Sequence, residues 1–123
     1  MGASALIIAR PEPLREGLHA LVGTMPQIGT VSLVSDVRSA LTAKLDPCPA
    51  LVLLDAGLTN HDVWLTVRRA KAGWPRARTI ILVRNVQQQA EAEAAGADAV
   101  LIEGFPAARL VAAIVKLLPH PVM

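Results

Sequence analysis

A parallel, doubly wound α/β sheet is the fold class this sequence predicts, and three observations predict it. Five short apolar runs recur along the chain. They are apolar throughout rather than alternating with polar residues, and amphipathic helical stretches separate them at spacings of roughly twenty-five residues. A strand covered by helices on both faces of its sheet needs such a continuous run, because neither side of it meets water. The chain has 123 residues, the size of one domain, so residues 1–123 are expected to form a single unit.

The elements follow in order. Ala5 to Ala9 is the first strand, and Arg10-Pro11-Glu12-Pro13 breaks it, since proline offers no backbone donor to continue a ladder. Leu14, Leu18, Leu21, Val22 and Met25 then recur at helical steps with Arg15 and Glu16 on the other side, and Pro26 closes that helix. Gly29 to Leu33 is a weaker strand. Ser35 or Asp36 supplies an N-cap for the next helix, whose inward face is Val37, Leu41 and Leu45. The loop Asp46-Pro47-Cys48-Pro49 leads into Ala50 to Leu54, the clearest strand in the chain, which delivers Asp55 at its end. Val63, Trp64 and Val67 mark a third helix that Asn60 can cap. Thr79 to Val83 is the fourth strand, and an Ala- and Gln-rich helix follows from about Val86 to Ala95, with Gly96 suited to its C-terminal cap. Ala99 to Ile102 is the fifth strand. Leu110, Val111, Ile114, Val115 and Leu118 give the last helix its apolar stripe, which Pro119 and Pro121 end.

Composition excludes several function classes. With 53% apolar and 18% charged residues and no low-complexity tract, the chain reads as globular rather than disordered. The net charge of +2 arises from both signs spread along the sequence. The basic group Arg68, Arg69, Lys71, Arg76 and Arg78 straddles a helix C-terminus, where cations meet the helix dipole favourably, and no aromatic residues interleave with it. It reads as a solvated face, and direct nucleic-acid binding is not expected. Ala3 to Ala9 is too short to span a membrane and lacks a basic leader, so no membrane association and a cytoplasmic location are expected. Cys48 is the one cysteine, which fits a reducing compartment and a role in packing or none. His61 and Asp62 read as loop residues with no nucleophile nearby, Trp64 and Trp74 as packing residues, and Gln87-Gln88-Gln89 as the exposed start of a helix. There is no Gly-rich phosphate loop, nucleophile elbow or metal constellation, so the chain is not expected to be an enzyme or to need a cofactor.

In doubly wound sheets, ligands sit beyond the carboxyl ends of the strands, where the strand order reverses. Arg10, Pro11, Asp55, Val83, Arg84 and Glu103 stand there. The first strand, Pro13, Arg15-Glu16-Gly17-Leu18, the run Pro49 to Asp55, Asp62 seven residues after Asp55, and Gly96-Ala97-Asp98 together resemble the receiver (CheY-like) domain of bacterial response regulators, over nearly the whole chain. The resemblance implies a flavodoxin-like sheet of order 2-1-3-4-5 with five helices. It also implies a Mg²⁺ ion held by an acidic pair after the first strand, by the phospho-acceptor Asp55 and by the carbonyl of Gly57. The physical need is plain, because phosphoryl transfer to a carboxylate brings anions together and a hard dication neutralises them.

The sequence departs from that pattern around Asp55. The acidic pair falls on Arg10 and Pro11, and Glu12 matches only the acidic residue that often follows the pair. The hydroxyl residue ending the fourth strand falls on Val83, the lysine ending the fifth on Glu103, and the aromatic switch position on Val100. A cation stands where anions were and an anion where the lysine was, so Arg10 is expected to reach Asp55, Glu103 or both through its planar fork. The expectation is a pseudo-receiver, a signalling or regulatory module of two-component type that works by protein contacts without metal-dependent phosphorylation. The alternative is a receiver that still takes a phosphoryl group on Asp55. For a protein partner or a homodimer, the resemblance points to the face of the fourth helix, fifth strand and fifth helix, where the small residues of the run Ala90 to Ala95 allow close approach.

Overall fold

Leu51 to Leu54 carries no polar side chain, and in the structure, a computed structural model, this run is buried from end to end at the centre of a sheet. The structure describes residues 3–9, 13–34, 48–56 and 63–118. Its elements are β1 (Ala3–Ile8), α1 (Pro13–Gly23), β2 (Ile28–Val34), β3 (Leu51–Asp55), α2 (Val63–Gly73), β4 (Arg78–Val83), α3 (Val86–Ala94), β5 (Ala99–Ile102) and α4 (Ala107–Leu117). All neighbouring strands run parallel, in the order β2-β1-β3-β4-β5, which is the order 2-1-3-4-5 expected of a flavodoxin-like sheet. Four helices lie among the described residues. The helix expected around Val37, Leu41 and Leu45, with its cap at Ser35 or Asp36, falls outside them, as do Asn60, His61 and Asp62.

Strand side chains alternate between faces, so one apolar run feeds two cores. Leu6, Ile8, Val52, Leu54 and Ile81 meet Val67, Ala70, Trp74 and Ala92 of the α2 and α3 side. Ala5, Ile7, Leu51, Leu53, Ile80 and Leu82 meet Leu18 and Val22 of α1 and Leu110 and Ile114 of α4. The described helices therefore cover the sheet as two pairs, α1 with α4 on one face and α2 with α3 on the other.

Several boundaries differ from the sequence reading, each for a local reason. The first helix ends at Gly23 rather than reaching Met25, because the Thr24 hydroxyl and the Thr24 N–H both turn back to the Leu21 carbonyl. Met25 is still buried, but from the turn that follows. In α4 the stripe narrows, since Leu110 and Ile114 are fully buried whereas Val115 is 42% exposed. Val115 stands beyond the arc of the helix that reaches the sheet. Cys48 is exposed, so it has no packing role.

Polar side chains finish the elements. Asn85 caps α3, its Oδ1 accepting from the Gln88 N–H, while Gln88 Oε1 accepts from the Arg84 N–H. This reciprocal pair resembles a capping box: one bond satisfies a donor that the first turn leaves open, and the other ties down the residue before the cap. At the other end of α3, the Gly96 N–H donates to the Glu93 carbonyl and the Ala97 N–H to the Ala92 carbonyl, with Gly96 at φ 101°. That is a Schellman ending, and its left-handed position suits glycine. At the amino ends of the strands, Asp98 Oδ2 accepts from the Thr79 N–H at 2.8 Å and from the Thr79 hydroxyl at 3.1 Å. Lys71 at 3.6 Å and Arg78 at 3.7 Å face the same carboxylate.

Candidate functional site

Register builds the site. Asp55 is the last residue of β3 and pairs with Leu82, and Val83 at the end of β4 pairs with Ile102. The ladder is carried one step beyond the strands by the Ala56 N–H donating to the Leu82 carbonyl at 2.8 Å and the Glu103 N–H to the Val83 carbonyl at 2.7 Å. Asp55, Val83 and Glu103 therefore end neighbouring strands on one rim, at the carboxyl edge where doubly wound sheets bind ligands.

Strand parity sets which way the two acids lean. Leu51 and Leu53 belong to the core under α1 and α4, and Asp55 follows them at the same two-residue step. Leu101 belongs to that core too, with Glu103 two residues on. Both acids accordingly line one open cavity of about 360 Å³, together with Gly17, Leu18 and Leu21 of α1, Leu82, Val83 and Arg84, and Gly104, Phe105, Ala107 and Leu110 at the start of α4. Asp55 is 9% exposed within its wall, whereas Glu103 and Arg84 are exposed at the mouth. Among the described residues no ion pair involves Glu103 or Arg84.

Of the residues that sequence reasoning assigned to the cleft, the structure brings Asp55, Val83 and Glu103 together, with Arg84 beside them. Arg10, Pro11, Glu12 and Gly57 lie outside the described residues, and with them the proposed contact from Arg10 to Asp55 or Glu103. Sequence reasoning missed the walls Gly17, Leu21 and Phe105. No local signal marks these, because the gap depends on how far apart two helices distant in sequence come to lie. Among the described residues, no three of His, Cys, Asp and Glu form a group that could hold a metal ion, and no helix is long and apolar enough to cross a membrane.

No protein-family profile matches the chain, and no curated protein matches it in sequence. Solved structures do. NtrX from Brucella abortus in complex with ATP is similar at a TM-score of 0.82 and 24% identity, over 96% of this chain and 27% of that one. The N-terminal signal receiver domain of a two-component response regulator from Bacteroides fragilis is similar at a TM-score of 0.81 and 14% identity, over 98% of this chain and 100% of that one. The chain has the receiver fold. The BeF₃-activated receiver domain of DrrB, a response regulator of Thermotoga maritima, is similar at a TM-score of 0.77 and 16% identity, over 98% and 100% of the two chains. Within this receiver fold the rim of Asp55, Val83 and Glu103 occupies the carboxyl edge, and the basic group lies at the opposite edge. There Lys71 and Arg78 are engaged by Asp98.

Proposed function

We propose that this chain is a pseudo-receiver, a single signalling module over residues 1–123 that acts through protein contacts and not through metal-dependent phosphorylation of Asp55. The observation that carries the reading is the company Asp55 keeps, an apolar Val83 on the neighbouring strand and a carboxylate, Glu103, on the next. A phosphoryl group on Asp55 would add charge beside Glu103, with no lysine there to balance it and no hydroxyl at Val83 to bond it. The donor set does not fit a magnesium ion. That ion demands near-octahedral oxygen ligation, and the positions after β1 that would supply two carboxylates are Arg10 and Pro11 in the sequence. The proposal is not an enzyme, and a cytoplasmic location goes with it.

Two large apolar residues support a protein-facing role for the side formed by α3, β5 and α4. Val86 on α3 is 71% exposed and Val115 on α4 is 42% exposed. Single exposed valines are ordinary, so these two support the reading only together with the resemblance that points to the same face.

The test is titration of the ¹⁵N-labelled chain with Mg²⁺ and beryllofluoride, the phosphoryl analogue that activates the DrrB receiver. The expected result is no saturable shift in the amides of Asp55, Ala56, Leu82 and Glu103 at millimolar Mg²⁺. Saturable shifts that vanish in Asp55→Asn would overturn the proposal in favour of a phosphorylatable receiver.

A further inference from the structure

We propose that α3 is a latched cover on the sheet, held shut by the hydrogen bond from Trp64 to Glu91, and that it opens as a unit while the strands beneath it stay paired. The inference is independent of the pseudo-receiver reading and is decided by different measurements.

The other described helices are anchored by large side chains. Leu18 and Val22 of α1 are buried, as are Val67 and Ala70 of α2 with Trp74 just past its end, and Leu110 and Ile114 of α4. In α3 only Ala92 is buried, and Val86, its largest apolar residue, is 71% exposed. Apolar burial stabilises in proportion to the area removed from water, so one methyl group holds α3 far less firmly than a leucine and an isoleucine hold α4. The parts of a fold that bury least are the ones that open first.

Both ends of α3 are nevertheless closed. Asn85 caps its start, and the Gly96 and Ala97 N–H groups bond the Glu93 and Ala92 carbonyls at its finish. Its weak point is therefore its docking rather than its termini. A nine-residue helix has little stability of its own, because isolated helices shorter than about 12–15 residues are marginal in water, so release from the sheet melts it.

One polar contact supplements that slight hydrophobic hold. Trp64 Nε1, in the first turn of α2, donates to Glu91 Oε2 of α3. Among the described residues this is the only side-chain hydrogen bond that ties α3 to another helix, since the bonds of Asn85 and Gln88 stay within its own first turn. A carboxylate acceptor makes such a bond stronger than a neutral one. The Trp64 ring rests against the same buried cluster as Ala92, with Val100 and Ile102 of β5 half-buried on that side. Opening presents this ring and these two side chains to solvent. A contact that takes the Glu91 carboxylate would shift the balance toward the open state.

The experiment is native-state hydrogen exchange of the ¹⁵N-labelled chain, comparing the amides of Ala90 to Ala95 with those of Val52, Leu53 and Ile81 in the sheet. The α3 amides are expected to exchange as a group at least about tenfold faster than the sheet amides, once corrected for intrinsic rates. Trp64→Phe keeps a ring but removes the donor, and Glu91→Met keeps length and helix propensity but removes the acceptor. Each should speed exchange in α3 about five- to tenfold relative to the sheet. The double variant should show no more than either single one, because both remove the same bond. Three results would overturn the proposal: α3 amides exchanging in step with the sheet, no relative acceleration in Glu91→Met, or accelerations that multiply in the double variant. The response to beryllofluoride bears on none of these outcomes.

Discussion

Two glycines on the same molecule call for opposite treatment, and the difference lies in their backbones. Gly96 sits at φ 101°, where an L side chain is strained, and a Cβ there would come within 3.3 Å of the aliphatic part of Lys71. Gly17 is an ordinary helical residue with open space around its missing Cβ. Gly96→Ala is therefore expected to destabilise the protein by about 1–2 kcal/mol. Gly17→Ala should stabilise it by about 0.5–1 kcal/mol, through helix propensity and a less disordered unfolded chain. Thermal melts of the two single variants check the pair, and a shift of the same sign in both would contradict the argument. Gly96 was legible in the sequence because it follows an Ala-rich helix. The role of Gly17 was not, since nothing in Arg15-Glu16-Gly17-Leu18 says that α4 lies across a gap from it.

At the scale of the element, the ends of helices and strands depend on side-chain hydrogen bonds more than on charge. Asp98 serves two donors on Thr79, one of them a backbone N–H of β4, and its ion pairs with Lys71 and Arg78 are long and half open to water. Removing the acceptor leaves a buried threonine short of partners, whereas removing an exposed cation costs little. Asp98→Ala should lower stability by about 1–3 kcal/mol and Arg78→Met by less than about 0.5 kcal/mol, read as shifts of the urea midpoint. An equal loss in both would show that the ion pairs carry the clip. The strands themselves were plain in the sequence, because Leu51 to Leu54 and Ile80 to Val83 are apolar without interruption. The Asn85 cap was also visible in principle, with Gln88 three residues later, although Gln87-Gln88-Gln89 reads first as a merely exposed stretch. The clip between Asp98 and Thr79 was hidden. It joins residues 19 apart that only the pairing of β4 with β5 brings together.

For the molecule as a whole, the sheet is a partition between two cores that share strands but no side chains. Val67 belongs to the buried cluster that holds Leu54 and Trp74, and Ile114 to the one that holds Leu53 and Leu110. Each truncation empties space that the sheet shields from the other, so Val67→Ala and Ile114→Ala should act independently. Their losses, about 1–3 and about 2–5 kcal/mol, should add within about 0.5 kcal/mol in a double-mutant cycle. A larger coupling would mean that the strands bend to relieve one side at the expense of the other. The strand order has a further consequence for how the polypeptide is made. If strands dock as they emerge, β3 joins β1, β4 joins β3 and β5 joins β4, so that synthesis and assembly advance along a single margin. A nascent chain still tethered to the ribosome would then always expose its newest strand, and the short β5, only half buried, completes the series with the least sticky of these temporary edges.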